Sequence, residues 1–349
     1  MKQSRLYRIF GVATVWAVVA LASGCTHKLG NAPQENTPVG NIEALWQIID
    51  EKYCFVEEKG VNWDSIHTLY TDSARQIDTN EDGWNIKLFD LMASMLNQLH
   101  DGHVNLYSAF DVSVCEDWYA GYPENFDEEL VENLYLQGAR YAGGMYYNKI
   151  AHDSIGYIRY SSFSNAIGQS NMYYVLKSFS QCRGIIIDVR HNGGGDLTNA
   201  YTLASTFLKH DTLVGYWQHK NGTGHEDFSK MEPIYVRYDA MPNKWYRPVV
   251  VLQDRHVYSA ANAFVNCMRY TDNTLLLGGV SGGGGGMPMS YELPMGWVVR
   301  FSSVKLYDAA QKSIEEGIAP HVTVTLESTD KDDLIEKAVE LINRAYKRK

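Results

Sequence analysis

Proline is scarce in this chain, at 9 of 349 residues, and so is positive charge. Lys plus Arg number 31 against 41 for Asp plus Glu, which leaves a net charge of −10. No basic face is implied, so nucleic acid is not an expected partner. Beyond residue 22 no apolar run approaches the roughly 20 residues that a membrane-spanning helix needs. The five Cys match neither a disulfide framework nor a CxxC zinc pattern, HExxH is absent, and the 11 His show no metal-ligand spacing. No metal and no cofactor are therefore expected. What remains is 45% hydrophobic, with 24 Tyr and 8 Trp. That composition builds a packed core and excludes disorder, collagen and coiled coil. The length allows two or three domains.

The amino terminus reads as a processed segment. Lys2, Arg5 and Arg8 precede an apolar run from Ile9 to Ala22 that is too short to span a bilayer. The run ends in Leu21-Ala22-Ser23-Gly24-Cys25, which resembles the bacterial lipobox. That resemblance implies lipidation of Cys25, with an ordinary cleavage site as the alternative. Removing residues 1–24, with three positive charges and no acid, would take the net charge from −10 to −13. The expectation is a protein held at a membrane of the bacterial cell envelope by its lipid, on the periplasmic face or the outer surface. His27 to Gly40 is polar, with Pro33 and Pro38, so residues 25–40 read as a tether.

Residues 41–108 read as a helical amino-terminal domain. Ile42, Leu45, Trp46, Ile49 and Tyr53 recur at helical spacing, as do Leu88, Leu91, Met92, Met95, Leu96 and Leu99, with a third helix over Trp63 to Ala74. Residues 109–132 form an acidic connector. From 133 onward the pattern is strand, turn, helix. Ser154 to Tyr160 alternates, and Gly184 to Arg190 is the continuous apolar run of a strand buried on both faces. A helix over Leu197 to Leu208 follows it. Pro248 to Leu252 is a second buried strand, leading to a helix from Ser259 to Tyr270, and Leu275 to Gly278 is a third. The last helix covers 331–346. This is an α/β domain whose functional residues belong at the carboxyl ends of strands.

Three segments can carry chemistry. Asn192-Gly193-Gly194-Gly195 follows a buried strand, and its backbone N–H groups face a ligand without Cβ obstruction, which suits an oxyanion. A simple turn is the alternative; the P-loop Lys-Ser/Thr and the GxGxxG spacing are both missing. Tyr258-Ser259-Ala260-Ala261-Asn262 places a Ser between a strand and a helix of small residues, either as an exposed nucleophile or as an ordinary N-cap. Leu99-His100-Asp101-Gly102-His103 offers a His for general-base work near neutral pH, or a surface His.

Together these segments resemble the carboxy-terminal processing, or tail-specific, protease family. The chain looks closest to the branch holding the tricorn core protease and the interphotoreceptor retinoid-binding modules. The resemblance covers about residues 41–108 and 133–325. It rests on Leu-x-Asp-Gly-His (99–103), Asp-x-Arg-x-Asn-x-Gly-Gly (188–195), Ser-Ala-Ala (259–261), Leu-x-Gly-x-x-x-Gly (276–282) and Gly-Ile-x-Pro (317–320). It implies a crotonase-like (ClpP/crotonase) spiral core with a small amino-terminal helical domain, and a Ser nucleophile acting on peptide or protein substrates. Ser259 would be that nucleophile, with an oxyanion hole from the N–H groups of Ala260 and of Gly194 or, next, Gly195.

Many members use a Lys about 25 residues after the Ser, but here the first Lys after Ser259 is Lys305, 46 positions on. The tricorn-like branch implies a His and a late Glu instead: His103, with Glu315 or Glu316. Three departures are visible. Asn262 stands where the family often has Glu, Gly102 stands where the branch has Ser, and the 30–50 residues after Tyr107 are too few for a PDZ domain. A catalytically silent ligand-binding module on the same fold is the competing reading. Acyl-CoA chemistry has no motif to support it. The run Gly282–Gly286 is expected to be a loop that orders only with substrate, because ordering five Gly is entropically costly.

Overall fold

The computed structural model describes residues 35–347. The apolar leader and Cys25 lie outside the described residues.

Four helices open the described residues: α1 (Pro38–Lys52), a single turn α2 (Val56–Lys59), α3 (Trp63–Ala74) and α4 (Trp84–Asn97). Helix α1 starts before Gly40, where the tether was expected to end. Its start is set by Thr37, whose side chain accepts the Gly40 N–H at 3.0 Å, and by Pro38, which has no N–H to lose in the first turn. The stripe Ile42, Leu45, Ile48 and Ile49 is buried, as is Leu88, Met92, Met95 and Leu96 on α4.

The helices do not close a core of their own. They share one hydrophobic cluster with Leu106, Tyr291, Leu293, Trp297, Val299 and Phe301. Those residues belong to an antiparallel sheet ordered β2-β1-β12-β7-β8, with β11 also on β12. Its strands are β1 (Asn105–Tyr107), β2 (Val112–Val114), β7 (Thr212–His219), β8 (Glu232–Val236), β11 (Gly286–Glu292) and β12 (Val298–Asp308).

The second sheet has seven strands in the order β13-β10-β9-β6-β5-β4-β3. Strands β5 (Ile155–Tyr160), β6 (Gly184–Asp188), β9 (Val249–Gln253), β10 (Thr274–Gly278) and β13 (Val322–Thr323) run parallel, while β3 (Arg140–Ala142) and β4 (Met145–Ile150) form an antiparallel edge. Helices α5 (Glu128–Tyr135) and α9 (Asp333–Lys347) cover one face, and α6 (Gln169–Ser178), α7 (Leu197–Ser205) and α8 (Ala260–Met268) cover the other. Both faces are apolar, which explains the unbroken hydrophobic runs. Ile185, Ile187, Val249 and Val251 point into the core under α7 and α8, while Ile186, Val250 and Leu252 point to α9. The α/β core and the helical start are as expected.

Asp188 and Arg190 lock the sheet to α9. The fully buried Arg190 guanidinium bonds both Asp188 oxygens (2.9 and 2.6 Å), Asp332 Oδ2 (2.9 Å) and the Asn125 carbonyl (2.8 Å). The Tyr157 hydroxyl donates to Asp188 Oδ2 at 2.7 Å. Every charge in this group is paired, as burial at this depth requires.

Candidate active site

Strands β6 and β9 are parallel neighbours, so the loops after them lie side by side at one end of the sheet. The Tyr258 N–H donates to the Asn192 carbonyl at 3.1 Å and ties one loop to the other.

Ser259 is the N-cap of α8 and has φ 55° and ψ −123°. A non-Gly residue with positive φ is strained and persists only where its surroundings hold it. Here the Ser259 N–H donates to the Gly283 carbonyl at 2.9 Å. The half-buried side chain accepts no capping bond, and its Oγ makes no hydrogen bond among the described residues. It is presented to a cavity of about 540 Å³ lined by Leu197, Tyr201, Trp217, Met287, Pro288 and Leu306.

Gly194 has φ +100°, and a Cβ there would lie 2.8 Å from Ser259 Cβ and 2.9 Å from the Ala260 nitrogen. The glycine is therefore what lets the first loop reach the Ser. The Gly194 N–H donates to Asn192 Oδ1 at 2.9 Å. The N–H groups of Ala260 and Gly195 have no partner among the described residues. Both lie at the same cavity as Ser259.

His103 sits between α4 and β1. Extending the β1–β12 register from Asn105↔Arg300 puts it opposite Ser302, and its Nδ1 is 3.3 Å from Ser302 Oγ. A hydroxyl from β12 thus stands beside the imidazole, and the space at Gly102 is filled by Trp118, which a Cβ would meet at 2.7 Å. The imidazole packs edge-on against Tyr258 with centroids 4.8 Å apart. It makes no hydrogen bond to Ser259. Burial lowers its pKa to about 4, helped by Arg300 and Lys59 and opposed by Asp101, so it is neutral at pH 7.

Neither expected Glu hydrogen-bonds the imidazole among the described residues. Glu316 is exposed. Glu315 is buried and its Oε1 accepts from Lys59 Nζ at 2.9 Å, while Oε2 has no partner. Burial and the Asp101 charge push its carboxyl up to about 8 against the pull of Lys59. The carboxylate nearest His103 in the electrostatic sense is Asp101. It accepts the His103 backbone N–H (2.7 Å), the Tyr53 hydroxyl (2.6 Å) and the Tyr258 hydroxyl (2.9 Å). Burial opposes its charge, but Lys59, His103 and these donors hold its pKa below the usual value. Sequence reasoning passed over Asp101; its place two residues before a candidate base was the only signal.

Asn262 turns out to be structural. Its amide donates to the Ile314 carbonyl at 3.0 Å and accepts from Ser281 Oγ at 2.7 Å. The Gly282–Gly286 run is not a loose flap. It is buried, and its backbone bonds Val257 (2.7 Å), Glu315 (3.1 Å) and Leu306 (2.7 Å). These bonds and the burial offset the expected entropy cost, and glycine is required because side chains there would collide: a Cβ on Gly283 would lie 1.7 Å from the Glu315 carbonyl oxygen. Cys54, Cys115, Cys182 and Cys267 are buried free thiols.

A parallel sheet with a strained Ser at a helix start and glycine N–H groups beside it defines the class of serine hydrolases with a backbone oxyanion hole. The comparisons name the family. The model of peptidase family S41 matches residues 154–324, and that of the tricorn protease C1 domain matches residues 37–97. The crystal structure of a candidate peptidase from Parabacteroides merdae ATCC 43184 is 41% identical, with a TM-score of 0.82 over 88% of this chain and 97% of that one. The carboxy-terminal processing protease CtpA of Bacillus subtilis (strain 168) is 26% identical over 183 residues, 52% of this chain and 37% of that protein. The chain thus matches well under half the length of that curated relative. Mature CPAF complexed with lactacystin shares the fold, with a TM-score of 0.62 at 12% identity over 89% of this chain and 98% of that one. The chain belongs to peptidase family S41, a family of serine-type peptidases.

Proposed function

We propose that this protein is an exported, lipid-anchored serine endopeptidase. Ser259 Oγ attacks the scissile carbonyl carbon and gives its proton to His103. The oxyanion is held by the Ala260 N–H and by that of Gly195, or of Gly194 once it releases Asn192. The leaving amine takes the proton back from His103, and water then releases the acyl group by the same route. The neutral imidazole can accept that proton, and the nearby Asp101 charge stabilises the imidazolium that forms. With Nδ1 facing Ser302, Nε2 is the ring nitrogen left to serve Ser259. Proton transfer requires it to close on Ser259 to about 2.6–3.2 Å, a distance that such pairs commonly reach only with substrate bound. The observation that carries this reading is the strained Ser259 at the start of α8 beside Gly194. The apolar cavity suits an aliphatic or aromatic side chain next to the cleaved bond.

Anchoring rests on the lipobox-like Leu21–Cys25 alone. Among the described residues no helix is long and apolar enough to cross a membrane.

The test is fluorophosphonate labelling of unlipidated protein beside Ser259→Ala and His103→Ala. Labelling lost in both variants is the expected result. Loss only in Ser259→Ala moves the base role to another residue. A folded wild type that does not label favours the silent ligand-binding module. The open Ser259–His103 pair and the apolar cavity are what speak for that second reading.

A further inference from the structure

Two histidines and a carboxylate that are far apart in sequence meet beside the strand ends. His191 follows β6, His256 follows β9, and Glu124 comes from the segment before α5. The pairing of β6 with β9 brings the two imidazoles to a centroid distance of 4.2 Å. Both Nε2 atoms are directed at one carboxylate, His191 at 2.6 Å from Glu124 Oε1 and His256 at 3.8 Å from Oε2. One donor atom from each of the three lies within 4.8 Å of the others.

A fourth group fixes their places. The side chain of Asp254 is buried, and its oxygens accept the backbone N–H of His191 at 3.1 Å and of His256 at 3.1 Å. Its Oδ2 also lies 3.5 Å from His191 Nε2. The rings are braced from outside by Phe126 against His191 at 5.0 Å and Tyr119 against His256 at 4.5 Å.

We propose that Glu124, His191 and His256 form a binding site for one divalent transition-metal ion of the zinc class, with Asp254 as the carboxylate that orients it. Two imidazole nitrogens and a carboxylate oxygen are a donor set that suits such an ion. Zn²⁺ takes these ligands at about 2.0–2.2 Å, so donors around it sit roughly 3.3–3.5 Å apart. The present separations fall on both sides of that value, and small side-chain rotations bring them to it. The imidazoles are partly exposed, at 34% and 30%, so an ion has an entry path. The site is separate from the peptidase chemistry but continuous with its scaffold. His191 lies two residues before Gly193 and His256 three before Ser259. A bound ion would clip the glycine loop to the nucleophile loop.

The test titrates chelator-stripped protein with Zn²⁺ against a chromophoric competitor, and with Co²⁺ followed by its absorption. One equivalent should bind tightly, and His191→Ala or His256→Ala should each weaken binding by about 100-fold or more. Circular dichroism and a cooperative thermal transition check that these variants fold. A second cluster, His100, Cys115 and Asp117, provides the control. Cys115→Ser should leave the affinity unchanged. The proposal is overturned by wild-type protein that takes up no equivalent, by unchanged affinity in the His191→Ala, His256→Ala double variant, or by loss of binding in Cys115→Ser. Any of these would leave Glu124 and the histidines as a hydrogen-bonded cluster only, and none bears on whether Ser259 is reactive.

Discussion

The ring of Tyr258 occupies the space that a side chain at Gly284 would need. A Cβ on Gly284 would lie 2.5 Å from Tyr258 Cζ, and the backbone there has φ +69°. Position 284 is 25 residues after Ser259, where many relatives are expected to carry the Lys base. In this chain the Tyr258 hydroxyl donates to Asp101 and its ring packs on His103. One aromatic side chain thus links the backbone at Gly284 to Asp101 and His103.

Gly284→Ala tests that coupling. The new Cβ collides with a buried ring and meets an unfavourable φ, for a cost of about 1–3 kcal/mol. Tyr258→Ala should recover the collision but not the backbone strain. Urea unfolding of both single variants and the double variant measures this, and strictly additive losses would disprove the packing link.

The sequence showed the parallel sheet well, because strands buried on both faces read as unbroken apolar runs and each ends in a recognisable loop. The antiparallel sheet was harder to see. In β7 and β11 most residues are half-buried, so neither the alternating nor the continuous pattern is clean. Ser259, Gly194 and His103 were visible because their types and order are unusual together. Asp101 was not, since its importance lies in who donates to it, and Tyr53 and Tyr258 are 48 and 157 residues away. The glycine run misled because sequence reports its entropy but not the Glu315 backbone that it packs against.

Stability should depend on pH through two buried groups of opposite sign. His103 has a folded pKa of about 4, below the 6.5 of the unfolded chain. The unfolded state takes up that proton first, so stability falls as pH drops from about 6.5 towards 4. The full effect is on the order of 3 kcal/mol. Glu315 is raised to about 8, above its unfolded 4.5, so its contribution is present at low pH and is lost as pH rises through 8. The two offset each other between 4.5 and 6.5. From pH 6.5 to 8 Glu315 acts alone of the pair, and wild type should lose stability there while Glu315→Gln stays flatter. Parallel curves for the two proteins in urea titrations would rule this out.

Arg190→Met should be among the most damaging single changes. It leaves the Asp188 and Asp332 carboxylates buried without their cation. Breaking a buried pair from one side costs about 3–5 kcal/mol. Asp332→Asn alone should cost less, because Arg190 keeps both Asp188 contacts. Equal losses for the two variants would mean that the network is not organised around Arg190.

Gly194→Ala separates function from fold. Its Cβ would crowd Ser259 Cβ and the Tyr258 carbonyl, both at 2.8 Å, at a backbone with φ +100°. The displacement falls on the loop beside the nucleophile. Fluorophosphonate labelling should fall by about 10²–10³, the range seen when one oxyanion donor is lost. The thermal midpoint should move far less than in Arg190→Met. Normal labelling by this variant would remove the loop from the oxyanion site.

The cavity beside Ser259 makes a prediction about substrate. Leu197, Tyr201, Trp217 and Leu306 are apolar walls within reach of the nucleophile. A peptide library should therefore be cut next to large apolar side chains, with each methylene lost costing about 10-fold or somewhat more in kcat/KM. Leu306→Asp should reverse the order of preference, because the new carboxylate in that wall repels apolar and acidic groups and accepts basic ones. Leu306 makes no hydrogen bond to Ser259, Ala260 or Gly195, its N–H being bound to the Gly285 carbonyl, so reactivity towards a small fluorophosphonate should persist in the variant. Intact labelling with an altered library profile would assign the cavity to specificity. An unchanged profile would place the substrate side chain elsewhere on the surface.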